Sequence, residues 1–425
     1  MSHHAYPADL AGFVRDAWDA ESPPPAELEA LLSVAYQATL LFEEDRPITF
    51  RLVLAEPSEF PEHGGPPAGV HRLCFQKPRP LTPHELRRLS PAAKFHRSLI
   101  GVRPSGGGEL EIWGVLQSGP RWLASARGGR GSVPQLPPTA LVVRAMGAGR
   151  LAVARGEVTL AELRGGEVTG AAMDVFQSRW LGERFTEFRA EIAREHAAAR
   201  ASADRSWPDL DPSLVRRVSQ QMVKRVIATI RDARHGGALL FVPTECGADV
   251  LAGRRHLQMK YTFAADEPRR RYRTLILSVM RALSEGAEPG ASVTALAAYE
   301  VDDSPRLASL DEAIFEMSHL IAGLADVDGA VVLTKRFEVL GFGAEIAGNL
   351  PEVPVVARAL DLEGTLRARE PADGVGTRHR SAYRLCGGVP EALAIVVSQD
   401  GAVRFVANVD GEVTYWEHAP AGMDR

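Results

Sequence analysis

Two unbroken apolar runs, Gly237-Ala238-Leu239-Leu240-Phe241-Val242 and Ala392 to Val397, constrain this chain more than any other feature. Each has the length of a strand, and neither alternates apolar with polar residues. A strand that is apolar on both faces needs cover on both, which helices above and below a sheet provide. Such helices are legible nearby. Leu214, Val218, Met222, Val226 and Ile230 share one face of a helix expected from about Pro212, with Asp211 as its cap and proline at its first position. Leu310, Ile314, Met317, Ile321 and Leu324 mark another, which leads to Val331-Val332-Leu333. Strands alternating with helices in this way make a layered α/β domain. The second apolar run is followed by Gln399-Asp400-Gly401-Ala402 and then Val403 to Val406, and the Asp-Gly pair there is a hairpin signal.

A chain of 425 residues is longer than one core usually spans, so a second domain is expected. From Pro24 to about Val175 the pattern is of shorter elements broken by Gly and Pro, with strands at Ile48 to Leu54, Glu111 to Leu116 and Thr139 to Val143. This is a separate α/β or α+β unit. Its glycine-rich stretches, Ser105 to Gly108 and Arg127 to Gly131, read as surface connections. Leu181, Phe185, Phe188 and Ile192 then place a helix between Phe176 and Arg205, and Trp180, Phe185 and Phe188 read as its packing residues. Its apolar stripe ends near Ile192 while a charged, alanine-rich run continues to Ala203, so the helix reads as a semi-rigid connector. The expected division is residues 1–205 and 206–425.

Composition narrows the function classes. A formal net charge of -5 gives no overall basic footprint, so no nucleic-acid partner is expected. No apolar stretch approaches the ~20 residues of a membrane span, so no membrane role is expected. Met1-Ser2-His3-His4-Ala5 lacks the basic and apolar regions of a signal peptide. Cys74, Cys246 and Cys386 are widely spaced, which supports neither a disulfide framework nor a cysteine metal site. A cytoplasmic location fits these features.

The common nucleotide and hydrolase fingerprints are absent. There is no G-x-x-x-x-G-K-[ST], no His-Glu-x-x-His and no G-x-S-x-G. Gly341 to Ile346 lacks the third glycine of a dinucleotide loop. Asp326-Val327-Asp328-Gly329 starts like a calcium loop, but its twelfth position is Phe337. Arg269 to Arg273 reads as a solvated charged face, and His319 as a core histidine.

Two segments carry chemistry. In Asp328-Gly329-Ala330 an acidic residue stands at a strand entrance beside a glycine that lets a ligand approach the backbone, which suits a divalent cation beside phosphates. As a dipeptide alone, Asp-Gly reads equally as a turn. Gly376-Thr377-Arg378-His379-Arg380 sets two arginine forks, a histidine and a hydroxyl behind a glycine, which matches phosphate oxygens. In isolation this too reads as a basic turn before a helix.

Together and in this order, the DGA and GTRHR segments resemble the signatures of the diadenylate cyclase (DAC) family. The resemblance covers about 210 to 418 and includes His235 to Val242, similar to the family's first strand, and Ile395-Val396-Val397-Ser398-Gln399. Asp45 to Arg51 and Pro137 to Val143 resemble the DACNV sensor region that precedes some cyclase domains. The resemblance implies a C-terminal domain with a central mixed sheet flanked by helices, behind an N-terminal sensor domain. It implies condensation of two ATP into cyclic di-AMP and two pyrophosphates by a face-to-face homodimer in which each subunit presents one ATP. Asp328 would hold the metal, Mg²⁺ or Mn²⁺ with Co²⁺ as a further option. Arg378, His379 and Arg380 would act with Asp328 in catalysis. Gly329, Ala330, Ile346, Gly376, Thr377, Ser398 and Gln399 would contact nucleotide. The sequence departs from the family in having Val327 where membrane-type members often carry histidine, and in an insertion, Pro351 to Asp373, that sets Asp328 and Arg378 fifty positions apart. That insertion reads as a lid or a nucleotide selector. The alternative reading is a catalytically inactive nucleotide or cyclic-dinucleotide receptor on the same domain.

Overall fold

The computed structural model describes residues 4–418 except 19–25, 64, 66–68, 96, 107–108, 119–135, 138, 157, 171–172, 204–206, 209, 212, 254–255, 288–294, 303 and 347–349. Two compact units are present, one formed chiefly by residues 1–172 and the other by residues 173–419. Both mix helices with a large sheet, as expected. The expected strands at 48–54, 111–116 and 139–143 appear at Phe50–Leu54, Leu110–Ser118 and Leu141–Ala145. Arg127 to Gly131 lie outside the described residues.

In the first unit β1 (Phe42–Glu43) and β2 (Arg46–Pro47) form a minimal hairpin. An eight-stranded sheet follows from β3 (Phe50–Leu54), β4 (Val70–Pro80), β5 (Ser98–Pro104), β6 (Leu110–Ser118), β7 (Leu141–Ala145), β8 (Leu151–Arg155), β9 (Val158–Arg164) and β10 (Glu167–Gly170). Its order is β10-β9-β8-β7-β3-β5-β6-β4, antiparallel except between β3 and β5. Helices Pro7–Ala17 and Leu28–Thr39 bury Leu10, Val14, Leu28 and Leu32 against Phe50, Leu52 and Val143 on one face of this sheet.

The second unit holds a nine-stranded mixed sheet: β11 (Gly237–Val242), β12 (Leu257–Thr262), β13 (Ala330–Thr334), β14 (Val339–Ile346), β15 (Val355–Ala359), β16 (Arg367–Pro371), β17 (Leu393–Val397), β18 (Val403–Val409) and β19 (Glu412–His418). The order is β12-β14-β13-β11-β17-β18-β19-β15-β16. β11 runs parallel to β13 and antiparallel to β17. All six residues of β11 are buried. Leu239 and Phe241 enter a core with helices Ser213–Ala233, Arg271–Gly286 and Pro305–Leu324, while Ala238, Leu240 and Val242 enter another with helix Thr377–Gly388. That two-sided burial is what the apolar run demanded. The hairpin expected at Asp400-Gly401 joins β17 to β18, with Val397 paired to Val403. Asp211 caps the Ser213–Ala233 helix, its Oδ1 accepting from the Ser213 N–H at 2.8 Å.

Four expectations need correction. The division falls near residue 172, not 205. The segment read as a connector breaks at Phe185 into helices Arg179–Glu183 and Thr186–Ala201, and these belong to the second unit. Phe188 and Ile192 are buried in its core, His196 hydrogen-bonds Ser284 at 3.1 Å, and Glu191 and Glu195 pair with Arg273. These glutamates are one side of an ion-pair seam rather than the surface of a connector. For the same reason Arg269 to Arg273 is not a bare solvated face: Arg269 is buried and meets Glu338 at 2.8 Å. His319 is exposed and rests edge-on against Phe315, outside the core. The inserted segment Pro351 to Asp373 forms the hairpin β15–β16, which extends the sheet by pairing β15 with β19. Tyr415 donates to Glu370 at 2.6 Å and Arg369 meets Glu412 at 2.6 Å, so the hairpin is tied down along its length.

Candidate functional site

The sequence-selected residues gather at one end of the nine-stranded sheet. Parallel pairing of Leu239 with Val331 puts Gly236 and Asp328 at the same end of the sheet. Antiparallel pairing of Gly237 with Val397 sets Gly236 beside Ser398, and pairing of Ala330 with Ala344 sets Asp328 opposite Ile346. Ile346 at the end of β14, and Asp328, Gly236 and Ser398 one or two residues beyond the ends of β13, β11 and β17, therefore form a row at one end of the sheet.

Two glycines fix the backbone of this row. Gly329 has φ +115°, and a Cβ there would stand 2.5 Å from the Gly343 carbonyl carbon and 2.8 Å from the Ala344 nitrogen. Only glycine permits that approach. Asp328 is thereby held at the exposed end of β13, while Ala330 begins the buried part of the strand. Gly236 has φ +65°, and a Cβ there would meet the Val397 oxygen at 2.8 Å and Arg378 Nη1 at 3.0 Å. The vacant space is what admits the Arg378 guanidinium, whose Nη1 donates to the His235 carbonyl at 3.1 Å.

Arg378 belongs to the first turn of helix Thr377–Gly388, with Gly376 at the N-cap. The Gly376 carbonyl accepts from the His379 and Arg380 N–H groups at 3.1 and 3.2 Å. The N–H groups of Thr377 and Arg378 have no partner within the helix, as at any helix start, and the helix dipole adds positive character there. Thr377 and Arg380 are exposed. His379 is half-buried, and its pKa is pushed down to about 4, first by burial and then by the charges of Arg404 and Arg378, with Asp400 opposing. It is a neutral imidazole at pH 7. It can donate or accept a hydrogen bond but adds no positive charge to the site.

The Ser398 hydroxyl is engaged within the hairpin turn, bonded to the Asp400 carboxylate and 3.2 Å from the Ala402 oxygen. Gln399 is exposed at the same turn. Ile346 is half-buried and pairs with Leu257 of β12.

Three charged groups around the row carried no motif signal. Lys260 of β12 pairs with Glu345 at 3.1 Å, and its pKa is raised by that hydrogen bond and charge, with Asp328 adding to the effect. Asp328 thus lies near enough to the Lys260–Glu345 pair to act on its charge. On the other flank Arg404 donates to the Tyr383 hydroxyl at 3.2 Å and to Glu417 at 3.0 Å, and lies over the Tyr415 ring at 4.4 Å. Strand pairing alone brings these residues in, so nothing in the linear sequence points to them.

Among the described residues no three His, Cys, Asp or Glu side chains gather into a metal cage. Asp328 thus offers a divalent cation one carboxylate. That fits a cation carried largely by phosphate oxygens and water, the way Mg²⁺ is commonly held, and does not fit a protein-built cage. Chemically, the end of the sheet presents a carboxylate on one flank and two arginines with a helix N-terminus on the other. This is an arrangement suited to a polyphosphate chain.

A family model described as a probable sensor domain, DACNV, matches residues 18–117. The match lies within the first unit and includes Asp45 to Arg51; Pro137 to Val143 lie beyond it. Comparison with curated proteins and with solved structures finds no match. Among the described residues no helix is long and apolar enough to cross a membrane.

Proposed function

We propose that the second unit is a diadenylate cyclase domain, regulated by the first unit acting as a sensor. The observation that carries the reading is the shared sheet end: Asp328 enters on β13, and Arg378, anchored on the His235 carbonyl, enters beside β11 from the helix start. The DACNV match supports it independently, because that sensor family is typically found with diadenylate cyclase domains.

In this reading each subunit holds one ATP, and two subunits meet face to face. The 3′-hydroxyl oxygen of one ribose forms a bond to the α-phosphorus of the other ATP and gives up its proton to water, and the bond from that phosphorus to the oxygen bridging to the β-phosphate breaks, releasing pyrophosphate. The same exchange in the opposite direction closes the ring. Arg378, Arg380 and the free N–H groups of Thr377 and Arg378 bind the triphosphate and offset the charge that grows on the leaving pyrophosphate. His379, neutral at pH 7, hydrogen-bonds without adding charge. Asp328 would hold a divalent cation, which when bound supplies Lewis-acid polarisation of phosphate oxygens. Gly329 and Ala330 let the nucleotide lie close to the backbone, and Ile346 offers an apolar edge to the base.

The test is stoichiometry. Full-length protein incubated with ATP and Mg²⁺ or Mn²⁺ should release one pyrophosphate per ATP consumed and accumulate cyclic di-AMP. Saturable ATP binding without pyrophosphate release would replace this reading with that of a nucleotide receptor.

A further inference from the structure

Gly343, inside β14, lies between Lys260 on one side and Gly329 on the other. It falls opposite Lys260 of β12, between the pairs Met259 with Ala344 and Tyr261 with Phe342. Toward β13, Gly329 packs on it backbone against backbone, with the Gly343 carbonyl carbon 2.5 Å and its Cα 2.8 Å from where a Gly329 Cβ would stand. Gly343 has φ +63°, where the pairing of β13 with β14 shifts register. A Cβ on it would meet Cβ, Cδ and Cγ of Lys260 at 3.2, 3.3 and 3.5 Å. The lysine stem therefore runs along the space that a side chain at 343 would fill.

The stem is fixed by this groove, and the ammonium is not. Lys260 and Glu345 are both exposed, and their contact at 3.1 Å is a surface ion pair, of the kind that water and salt leave weak. Asp328 is near enough to act on the Lys260 charge. Arg378 and Arg380 stand on the other flank, at the start of helix Thr377–Gly388. A triphosphate brought to the Asp328 flank would meet carboxylates at Asp328 and Glu345, with Lys260 as the cation beside them. A phosphate is the more highly charged acceptor, and a lysine on a flexible stem can follow it.

Resting on the cyclase reading, we propose that Lys260 is a further phosphate-binding residue of the nucleotide site, exchanging Glu345 for the phosphates held beside Asp328. It adds a cation on the flank opposite the arginines. Glu345 is then the partner that keeps the ammonium near Asp328 between turnovers. Removing the lysine and removing the glutamate should have different consequences for nucleotide binding, whereas an ion pair that only supports the fold would lose the same thing from either side.

The probe is 3′-deoxy-ATP with Mg²⁺, which carries the full triphosphate but lacks the hydroxyl that condensation needs, so binding is read without turnover. In calorimetry on full-length protein, Lys260→Met keeps the stem over Gly343, loses the charge and should weaken the probe by about tenfold. Lys260→Arg should recover most of that affinity, and Glu345→Gln should bind at least as tightly as the unaltered chain. With ATP, Lys260→Met should raise KM by a similar factor. Its melting temperature should match that of Glu345→Gln, because both lose the same ion pair. Unchanged affinity in folded Lys260→Met protein, or equal weakening in Lys260→Met and Glu345→Gln, overturns the role of Lys260 and leaves the nucleotide site standing. No binding of the probe by the unaltered chain overturns the nucleotide site, and the role of Lys260 with it.

Discussion

The two flanks of the sheet end are built by different means. On the Asp328 flank the backbone does the positioning: Gly329 packs against Gly343 and Ala344, and the carboxylate projects from an exposed residue. On the Arg378 flank a side chain does it, because the guanidinium is tied to the His235 carbonyl and fills the space left by Gly236. Function and stability should therefore separate cleanly on the first flank and stay entangled on the second.

The largest effect is expected from Asp328→Asn. It should lower cyclic di-AMP formation by about 100-fold or more, the scale of losing one positioned electrostatic group. Thermal unfolding should be unaltered, since the side chain is exposed. Gly329→Ala should do the reverse and strike the fold, costing roughly 1–3 kcal/mol in denaturant titration. An unchanged midpoint would mean that the close approach to Gly343 does not hold the strand entrance. Arg378→Lys should mix the two effects. A lysine cannot serve both the His235 carbonyl and a phosphate with one fork, so the KM for ATP should rise by about tenfold and stability should drop by ~1 kcal/mol. A change in KM with no change in stability would show that the carbonyl bond is dispensable.

The smallest effect concerns His379. Its folded pKa is depressed to about 4 from an ordinary 6.5, so between those values the unfolded chain binds more protons. Its contribution to stability is present above pH 6.5 and is lost as pH falls toward 4. His418, buried and also pushed down to about 4, acts in the same window. His379→Gln should thus flatten only part of the decline in stability between these pH values, as followed by denaturant titration at each pH. An identical decline in the variant would place the His379 ring in water.

The same contrast explains how much of the molecule was legible. β11 and the Asp400-Gly401 hairpin were readable because local rules govern them: an apolar run demands two-sided burial, and Asp-Gly demands a tight turn. Asp328 and Arg378 were readable as members of short motifs, although only strand register sets them at one sheet end. Lys260, Glu345 and Arg404 were not, since each reaches the site through pairing across the sheet. The boundary was misread for a related reason. Glu191 and Glu195 look like the surface of a free connector until Arg273, far away in sequence, is brought against them. His319 looked internal from its apolar neighbours, yet it falls on the outer side of its helix.

The most direct test is mass spectrometry of the products formed from ATP and Mg²⁺ or Mn²⁺ by full-length protein and by its Asp328→Asn variant, with folding of both checked by thermal unfolding. The account predicts cyclic di-AMP from the unaltered chain and a loss of about 100-fold or more in a variant that melts at the same temperature. Equal product from both would contradict the assignment of Asp328, and no product from a folded chain that binds ATP would contradict the cyclase itself.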